Sequence, residues 1–356
     1  MAAGQDRHGK KDQDATQALE LPKQLPLAVS GDTRRLVFHV VPLSAKGLLT
    51  QQVRDGLKAL SQETGRETVL HIRAFVAGAG DLRRVRDLVS ETFTARRQPL
   101  PALSLVQAGG LPLAGAQVLL EAVSEGSREA NPNGLAFFSA EVATSEDPLD
   151  RVAPLTAKSL GRLEQAVRAA GAEPADVVRV TCYVSSLDDL AGSRSLVEAE
   201  YPGAATDFVR PRRAPAEAMS ACEAVARLRR PPSQPLQAVD GDGAVREAGQ
   251  SEAVLLDTPG VVLTGTQASF GYEEKDARLA LERLRSALEQ AGAMPSGVAC
   301  ARYYSLYTGI SSQVRKLRVE FFDAARPPAG ELLLWEGLSS MDAGFAVDAV
   351  AAKDGR

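Results

Sequence analysis

The chain has few of the residues on which metal and redox sites depend. Among its 356 residues are three histidines and three cysteines, Cys182, Cys222 and Cys300, at unrelated spacings. This spacing indicates neither a disulfide framework nor a zinc site, so we expect buried thiols in a protein of the reducing cytoplasm. The scattered histidines likewise predict no metal site and no histidine-based catalytic triad. We therefore expect a protein without a cofactor.

Aromatic residues and long apolar runs are also scarce. Aromatics make up 5% of the chain, and the net charge is −4 with basic and acidic residues interspersed. This composition predicts no nucleic-acid partner, because neither a basic face nor a stacking surface is indicated. No stretch approaches the roughly 20 apolar residues of a membrane span. The polar first residues lack the apolar run of a signal peptide, which again favours a cytoplasmic location.

The sequence contains one pattern three times. An aromatic, a leucine and a second aromatic recur at constant spacing, and a helical segment closed by Gly65, Gly171 or Gly292 precedes each set. The period of roughly 105 to 120 residues is far longer than the 20–50 of solenoid repeats, so each copy is a small domain. The three sets are Phe75, Leu88 and Phe93; Tyr183, Leu196 and Tyr201; and Tyr304, Leu317 and Phe322.

These copies divide the chain. We expect a polar, disordered arm over residues 1–31, a first unit over 32–124, a second over 131–229, a linker over 230–252 and a third unit over 253–352. Each unit predicts strands, a helix, a strand, a helix and further strands, with both helices on one face of a sheet. Because the other faces also need covering, we expect the units to close into a ring with pseudo-threefold symmetry.

Several of the repeated segments resemble a known family. Residues 176–184 (DVVRVTCYV), 187–190 (LDDL), 106–112 (VQAGGLP) and 262–267 (VLTGTQ) are similar to signature elements of the Rid, or YjgF-type, reactive intermediate deaminases. The resemblance implies an α+β fold made of chorismate-mutase-like βαβαβ domains. Family members usually form homotrimers with ligand clefts between subunits, so it also implies a monomeric, single-chain pseudotrimer with clefts between its own units.

The resemblance further implies an activity and its key residue. Deaminases of the family hydrolyse enamines and imines to 2-oxo acids and ammonia, and an arginine holds the substrate carboxylate through bidentate hydrogen bonds. That arginine corresponds to Leu103 in the first unit and falls at or near Glu331 in the third. In the second unit it corresponds to Thr206 or to Arg210, depending on the direction of counting. At least two units therefore lack it, which predicts the loss of standard deaminase chemistry.

The candidate site residues follow from the same comparison. Arg210 is the candidate for a retained key arginine, and it begins a basic cluster that forms either an anion site or a solvated strand end. Glu223 is the candidate general base, with hydrogen bonding at a unit interface as the alternative. Arg302 lies at a strand position that either lines a cleft or faces solvent. The further substrate-binding candidates are Arg212, Arg213 and the remnants of a Ser-Gly-Gln element at Ser139, Glu141, Thr264 and Thr266.

Two aromatic features complete the predictions. We expect Phe75, Tyr183 and Tyr304 to pack under the second helix of each unit. Trp335, the one tryptophan of the chain, stands where the family has a glutamine, which indicates a more apolar pocket.

Three hypotheses about function remain open, because a fold does not determine the chemistry of a site. The first is a protein that handles a small carboxylate or imine metabolite in a cleft between units, without standard deaminase chemistry. The second is an active imine or enamine deaminase with one working cleft around Arg210. The third is an enzyme related to the chorismate-hydrolysing proteins of similar fold.

Overall fold

The computed structural model describes residues 22–78, 81–241 and 247–353. These residues form a mixed α+β structure with six α-helices. None of the described helices combines the length and the apolar composition needed to cross a membrane. The helices are α1 (Leu49–Thr64), α2 (Leu82–Ala95), α3 (Val152–Ala169), α4 (Leu190–Glu200), α5 (Glu274–Ala291) and α6 (Thr308–Phe321).

The strands form three sheets. In chain order they are β1 (Ala28–Gly31), β2 (Leu36–Val40), β3 (Thr68–Ala77), β4 (Ala102–Ala108), β5 (Val118–Glu125), β6 (Leu135–Ser145), β7 (Val177–Val184), β8 (Ala205–Val209), β9 (Ala218–Arg227), β10 (Leu236–Val239), β11 (Ala253–Leu256), β12 (Val261–Thr264), β13 (Gln267–Phe270), β14 (Ala293–Ser305), β15 (Ala329–Leu334), β16 (Gly337–Leu338) and β17 (Ala343–Lys353).

The three sheets share one strand order. The first sheet runs β2-β5-β3-β4, the second β6-β9-β7-β8 and the third β12-β17-β14-β15. In each sheet the last two strands are parallel and the other neighbours are antiparallel. A parallel pair requires a crossover connection, and α2, α4 and α6 supply it in turn. The equivalent sheets therefore have equivalent helices at equivalent points of the chain.

Glycines end the first helix of each sheet, as the sequence predicts. Gly65, Gly171 and Gly292 all have positive φ, at 58°, 75° and 83°. This backbone region is strained for residues with a Cβ, and it turns the chain out of the helix. The predicted helix ends are confirmed at these three positions.

Each sheet buries one face under its two helices. In the first sheet Ile72, Ala74 and Val76 pack with Leu57 of α1 and Val85 of α2. The second and third sheets have corresponding apolar clusters beneath α3 and α4 and beneath α5 and α6. The opposite faces of the three sheets meet one another, because two further clusters each combine residues of all three sheets. The centre of the molecule is therefore formed by the faces that turn away from the helices.

Short strands pass between the sheets at their edges. β1 pairs with β12 of the third sheet, although residues 28–31 lie in the arm that the sequence predicts to be disordered. Residues 1–21 of that arm lie outside the described residues. β10, inside the predicted linker 230–252, pairs with β11, and β11 pairs with β6 of the second sheet. The partners of these strands are remote in sequence or belong to another unit, so a local pattern does not reveal them.

Two of the cysteines form a disulfide. Cys182 of β7 and Cys222 of β9 lie directly opposite each other in an antiparallel pair, and their sulfur atoms are bonded. The expectation of three unpaired thiols is wrong for these two, because strand register joins residues that sequence spacing leaves unrelated. Cys300 is a free, buried thiol, and burial raises its pKa to about 12.

Candidate functional site

Charged and hydroxyl-bearing residues occupy equivalent positions on the inner faces of the three sheets. The antiparallel registers place Arg73 opposite Glu121, Thr181 opposite Glu223, and Arg302 opposite Asp348. All six are buried, so the interpretation of Arg302 as a solvent-facing strand residue is wrong. The parallel neighbour strands add Ser104, Asp207 and Glu331 beside Arg73, Thr181 and Arg302 in turn. We call these nine residues, together with Arg179 and His71, the central cluster.

Arg73 connects the first two sheets within this cluster. Its Nε donates to Glu121 Oε2 at 2.5 Å and its Nη2 to Glu223 Oε1 at 2.8 Å. Its Nη1 donates to the hydroxyl of Tyr183 at 2.9 Å. A buried guanidinium is stable only when opposite charges and hydrogen-bond acceptors surround it. The side chain of Arg73 is 2% exposed, and its partners come from both sheets.

Glu223 forms ion pairs with three arginines. Arg73 and Arg179 donate to its Oε1, the latter at 2.7 Å, and Arg302 Nε lies 3.5 Å from the same oxygen. Burial opposes ionisation, yet the surrounding guanidiniums hold the pKa of Glu223 well below its usual range. Its partners among the described residues do not include Arg210. This placement favours hydrogen bonding between sheets over the general-base role.

Two carboxyl groups of the central cluster have raised pKa values, which favours their neutral forms. Burial, together with the charge of Glu121, raises the pKa of Asp207 well above its usual value. Burial and the charge of Glu223 do the same to the pKa of Glu331. The cluster contains three guanidiniums and five carboxyl groups, so the raised pKa values of these two act to reduce its excess of negative charge. Burial also lowers the pKa of His71 to about 4, so its imidazole is neutral at physiological pH.

An aromatic layer lies next to the central cluster. The ring of Trp335 is 5.4 Å from that of Phe75, 5.6 Å from that of Tyr183 and 5.5 Å from that of Tyr304. The expectation that these three aromatics pack under the helices is wrong. Successive strand residues point to opposite faces, and Ala74 already faces the helices, so Phe75 turns inward. Trp335 fills the space where the three sheets meet and is 1% exposed.

Strand register identifies the positions in the other two sheets that are equivalent to Leu103. Leu103 lies opposite Ile72, Thr206 opposite Val180 and Gly330 opposite Ala301. Each of these partners directly precedes one of the equivalent residues Arg73, Thr181 and Arg302. The equivalent positions are therefore Leu103, Thr206 and Gly330. Arg210 is not equivalent, and Glu331 lies one residue beyond.

The predicted basic cluster lies where loops of the three sheets meet. Arg210 forms a backbone bridge with Gly110, and its Nη2 donates to the carbonyl of Gly109 at 2.8 Å. The backbone NH of Arg213 donates to Glu336 Oε2 at 3.0 Å. Arg212 lies two residues after Arg210 in the same loop and is half-buried. One side of the Arg210 guanidinium is thus bound to the neighbouring backbone.

Two remnants of the Ser-Gly-Gln element, Ser139 and Thr266, lie at contacts between sheets. Ser139 Oγ accepts from the backbone NH of Gly330 at 2.9 Å, which joins the second and third sheets. The backbone NH of Thr266 donates to the carbonyl of Leu103 at 3.2 Å, which joins the third and first. Thr264 Oγ1 instead accepts from Ala349 within the third sheet. Ser139 and Thr266 therefore contact Gly330 and Leu103, which occupy equivalent positions in their sheets.

Glu141 is a predicted site residue whose pKa lies close to physiological pH. Burial and the nearby charge of Glu252 raise the pKa of Glu141 from 4.5 to about 7, against the smaller opposing effect of Arg162. The carboxyl group thus changes its charge near physiological pH. No feature of the sequence indicates this, because Glu252 comes from the far end of the predicted linker.

We expect Glu141→Gln to change the pH dependence of stability. The folded-state pKa lies above the unfolded value, so its contribution to stability is complete below about pH 4.5 and is lost as the pH rises through 7. The difference between the two pKa values corresponds to about 3 kcal/mol. Urea unfolding should therefore show that, between pH 4.5 and 8, the free energy of unfolding of the variant rises relative to that of the wild type by up to this amount. Parallel curves would contradict the prediction, and exposed Glu198→Gln is the control.

An open cleft of about 800 Å³ lies between the first and third sheets. The start of α2 forms one side, and β13 with the loop after β16 forms the other. Of the predicted site residues it contains Thr266, beside Gln107 and Gln267. Its charged residues are Asp81, Arg83, Arg86 and Arg283. The sequence analysis missed these arginines, since they lie on helix surfaces that the repeat pattern leaves unassigned.

The arginines give this cleft a positive balance. Arg83 Nε lies 3.5 Å from Asp81 Oδ1, and Arg86 is exposed on the next turn of α2. Arg283 donates to the carbonyl of Ala268, and its Cζ lies 5.6 Å from the ring centroid of Phe270. Three guanidiniums thus face one carboxylate, an arrangement that attracts an anion.

A serine–histidine–glutamate arrangement also occurs, at the edge of the first sheet. His39 Nε2 is 2.7 Å from Ser124 Oγ, and His39 Nδ1 is 3.0 Å from Glu63 Oε1. Ser124, however, is 0% exposed and donates to Glu67 Oε2 at 2.5 Å. A nucleophile must reach its substrate, so this group connects β2, β5 and α1 structurally.

Comparisons with known proteins give the following result. No protein-family model matches the sequence, and no curated protein matches it. A Rid family protein, YyfB, from Yersinia pestis is 17% identical, covers 33% of this chain and 99% of its own, and has a TM-score of 0.32. A member of the YjgF/YER057c/UK114 family from Mycobacterium tuberculosis is 25% identical, with 33% and 98% covered and a TM-score of 0.25. A YjgF family member from Neisseria meningitidis is 16% identical, with 34% and 97% covered and a TM-score of 0.26. The solved structures to which this chain is similar thus include members of the Rid, or YjgF, family, each matching about a third of it.

Proposed function

We propose that this chain is a single-chain pseudotrimer of three Rid-like units that binds a small anionic metabolite, of carboxylate or imine type, without standard deaminase chemistry. The binding site is the cleft between the first and third units. The units correspond to residues 32–124, 131–229 and 253–352, with short strands exchanged at their edges.

One observation carries this proposal. The cleft of about 800 Å³ brings Arg83, Arg86 and Arg283 together at one seam, with amide groups of Gln107 and Gln267 beside them. Ligand pockets typically measure about 300–1,000 Å³ and use a few polar groups to orient the ligand. Among the described residues that line the cleft, one carboxylate, that of Asp81, accompanies the three guanidiniums. A bound anion would therefore find guanidinium donors that the protein's own carboxylate does not occupy.

The absence of deaminase chemistry rests on the register of the strands. The sequence resemblance places the family's arginine at Leu103, and strand register makes Thr206 and Gly330 the equivalent positions, none of which carries a charge. A leucine or a threonine side chain lacks the paired N–H donors that hold a carboxylate in one orientation. Without that orientation, attack of water on an imine carbon has no fixed geometry.

Two measurements test the proposal. Ammonia release from 2-iminopropanoate generated in situ should not exceed the buffer control. Calorimetric titration with 2-oxobutanoate should show binding that the double variant Arg86→Met/Arg283→Met weakens at least about tenfold, since hydrogen bonds to charged groups contribute about 1.5–3 kcal/mol each. Arg285→Met is the control, because Arg285 lies on the same helix but stacks over Phe321. Binding that the double variant leaves unchanged would refute this site.

A second candidate, imine hydrolysis around Arg210, has one observation in its favour. The buried Nε of Arg210 has no hydrogen-bond partner among the described residues, so the guanidinium keeps a free donor. Ammonia release that Arg210→Ala abolishes would establish this candidate and overturn the first.

A further inference from the structure

We infer that the anion bound in the cleft between the first and third units carries an aromatic ring close to its negative charge. This inference rests on the proposed function and defines the class of ligand for the same site. An aryl carboxylate and an aryl phosphate share the chemistry that the cleft would recognise.

The cleft has exposed apolar surface beside its arginines. Phe270 is 51% exposed and Met341 97% exposed, and both line the cleft beside the arginines. Exposed apolar side chains grouped in a concave site commonly mark a place where another molecule binds. A short aliphatic anion would satisfy the arginines but would leave this apolar surface in water.

Arg283 lies directly against an aromatic ring of the cleft. Its guanidinium lies over the ring of Phe270, with Cζ 5.6 Å from the centroid, and one of its nitrogens is held by the carbonyl of Ala268. The same two side chains therefore present a fixed cation and an aromatic surface next to each other. A ligand that matches both needs its charge and its ring within a few bonds. Aromatic rings and guanidiniums favour such mixed stacking.

The volume of the cleft and the placement of its arginines also favour a ring with a charged substituent. A cleft of about 800 Å³ exceeds what a three- or four-carbon acid fills, whereas a ring with a charged substituent covers more of the walls. Arg83 and Arg86 lie on α2, on the opposite side of the cleft from Arg283 of α5, so a charged group at the end of the ring meets guanidiniums from both sides. Gln107 and Gln267 add neutral donors between them.

The test compares ligands that differ in the ring. The full-length protein is titrated with benzoate, phenylpyruvate, phenyl phosphate and 2-oxobutanoate. At least one aryl anion is expected to bind about tenfold or more tightly than 2-oxobutanoate, from the apolar area that the ring covers. Phe270→Ala should reduce this ratio towards one. Phe321→Ala is the matched control. Phe321 stacks with Arg285, which lies on α5 like Arg283, but this pair is outside the cleft.

The outcomes separate the inference from the proposed function. Equal affinity for aryl and aliphatic anions, with binding still lost in Arg86→Met/Arg283→Met, overturns the inference and leaves the function standing. Aryl binding that Phe270→Ala does not weaken also overturns it. If none of the four anions binds, the proposed function fails with it. A ratio that falls in Phe270→Ala but not in Phe321→Ala supports the inference, and comparison of benzoate with phenyl phosphate then identifies the charged group.

Discussion

Arg73→Met is expected to lower the free energy of unfolding by about 3–5 kcal/mol, the usual effect of removing one partner from a buried ion pair. Arg73 neutralises Glu121 and Glu223, from two different sheets, and also donates to Tyr183. The methionine would leave both carboxylates buried with less positive charge beside them, and the Tyr183 hydroxyl would lose its donor. Urea unfolding followed by circular dichroism measures the change.

The matched control for this experiment is a surface arginine. Arg278 pairs with Glu274 one turn earlier on α5 and is 46% exposed. Exposed pairs of this kind contribute about 0–1 kcal/mol, so Arg278→Met should have little effect. Arg73→Lys should fall closer to Arg73→Met than to the wild type, since a lysine cannot bridge three partners. Equal losses in Arg73→Met and Arg278→Met would show that the central cluster does not hold the sheets together.

Trp335→Ala is the second change with a large expected effect, about 3–5 kcal/mol for a fully buried aromatic side chain. The indole contacts Phe75, Tyr183 and Tyr304, one from each sheet, so its removal opens a cavity that all three share. Trp335→Phe should cost less because it keeps part of the ring contact. Since the chain has one tryptophan, the buried indole also makes wild-type fluorescence a direct report of this layer.

A surface aromatic provides the comparison for Trp335. Tyr272 is 50% exposed and packs edge-on against Tyr307. Tyr272→Ala should therefore change stability by less than about 1 kcal/mol. If the tryptophan fluorescence of the wild type shifted to red only after the circular dichroism signal was lost, the aromatic layer would not unfold together with the sheets.

Several elements of this fold follow from local patterns in the sequence. The alternation of Leu70, Ile72, Ala74 and Val76 predicts a strand with one apolar face, and β3 contains all four. Ile72, Ala74 and Val76 share the face beneath the helices, but Leu70 packs with the other sheets, because the strand register shifts between Val69 and His71. The helix-closing glycines have the positive φ that their position predicts. Such features depend on neighbours within a few residues, and hydrophobic periodicity and glycine conformation report them directly.

The interior could not be predicted in the same way. The partners of Glu223 are Arg73, Arg179 and Arg302, and two of these lie more than 70 residues away in the chain. Alternation shows that Phe75 and Ala74 point to opposite faces, but it does not show which face meets another sheet. The disulfide of Cys182 and Cys222 likewise depends on strand register, which sequence spacing leaves undetermined.

The chain's own residues determined the spacing of aromatics, leucine and glycine that recurs three times, and many of the helices and strands around it. Only the tertiary structure decided which faces meet at the centre, which carboxyl groups have raised pKa values there, and which arginines line the open cleft. The physical reason is that local structure depends on the conformational preferences of neighbouring residues. Burial, charge pairing and shifted pKa values depend instead on groups that come together only after the three sheets have packed.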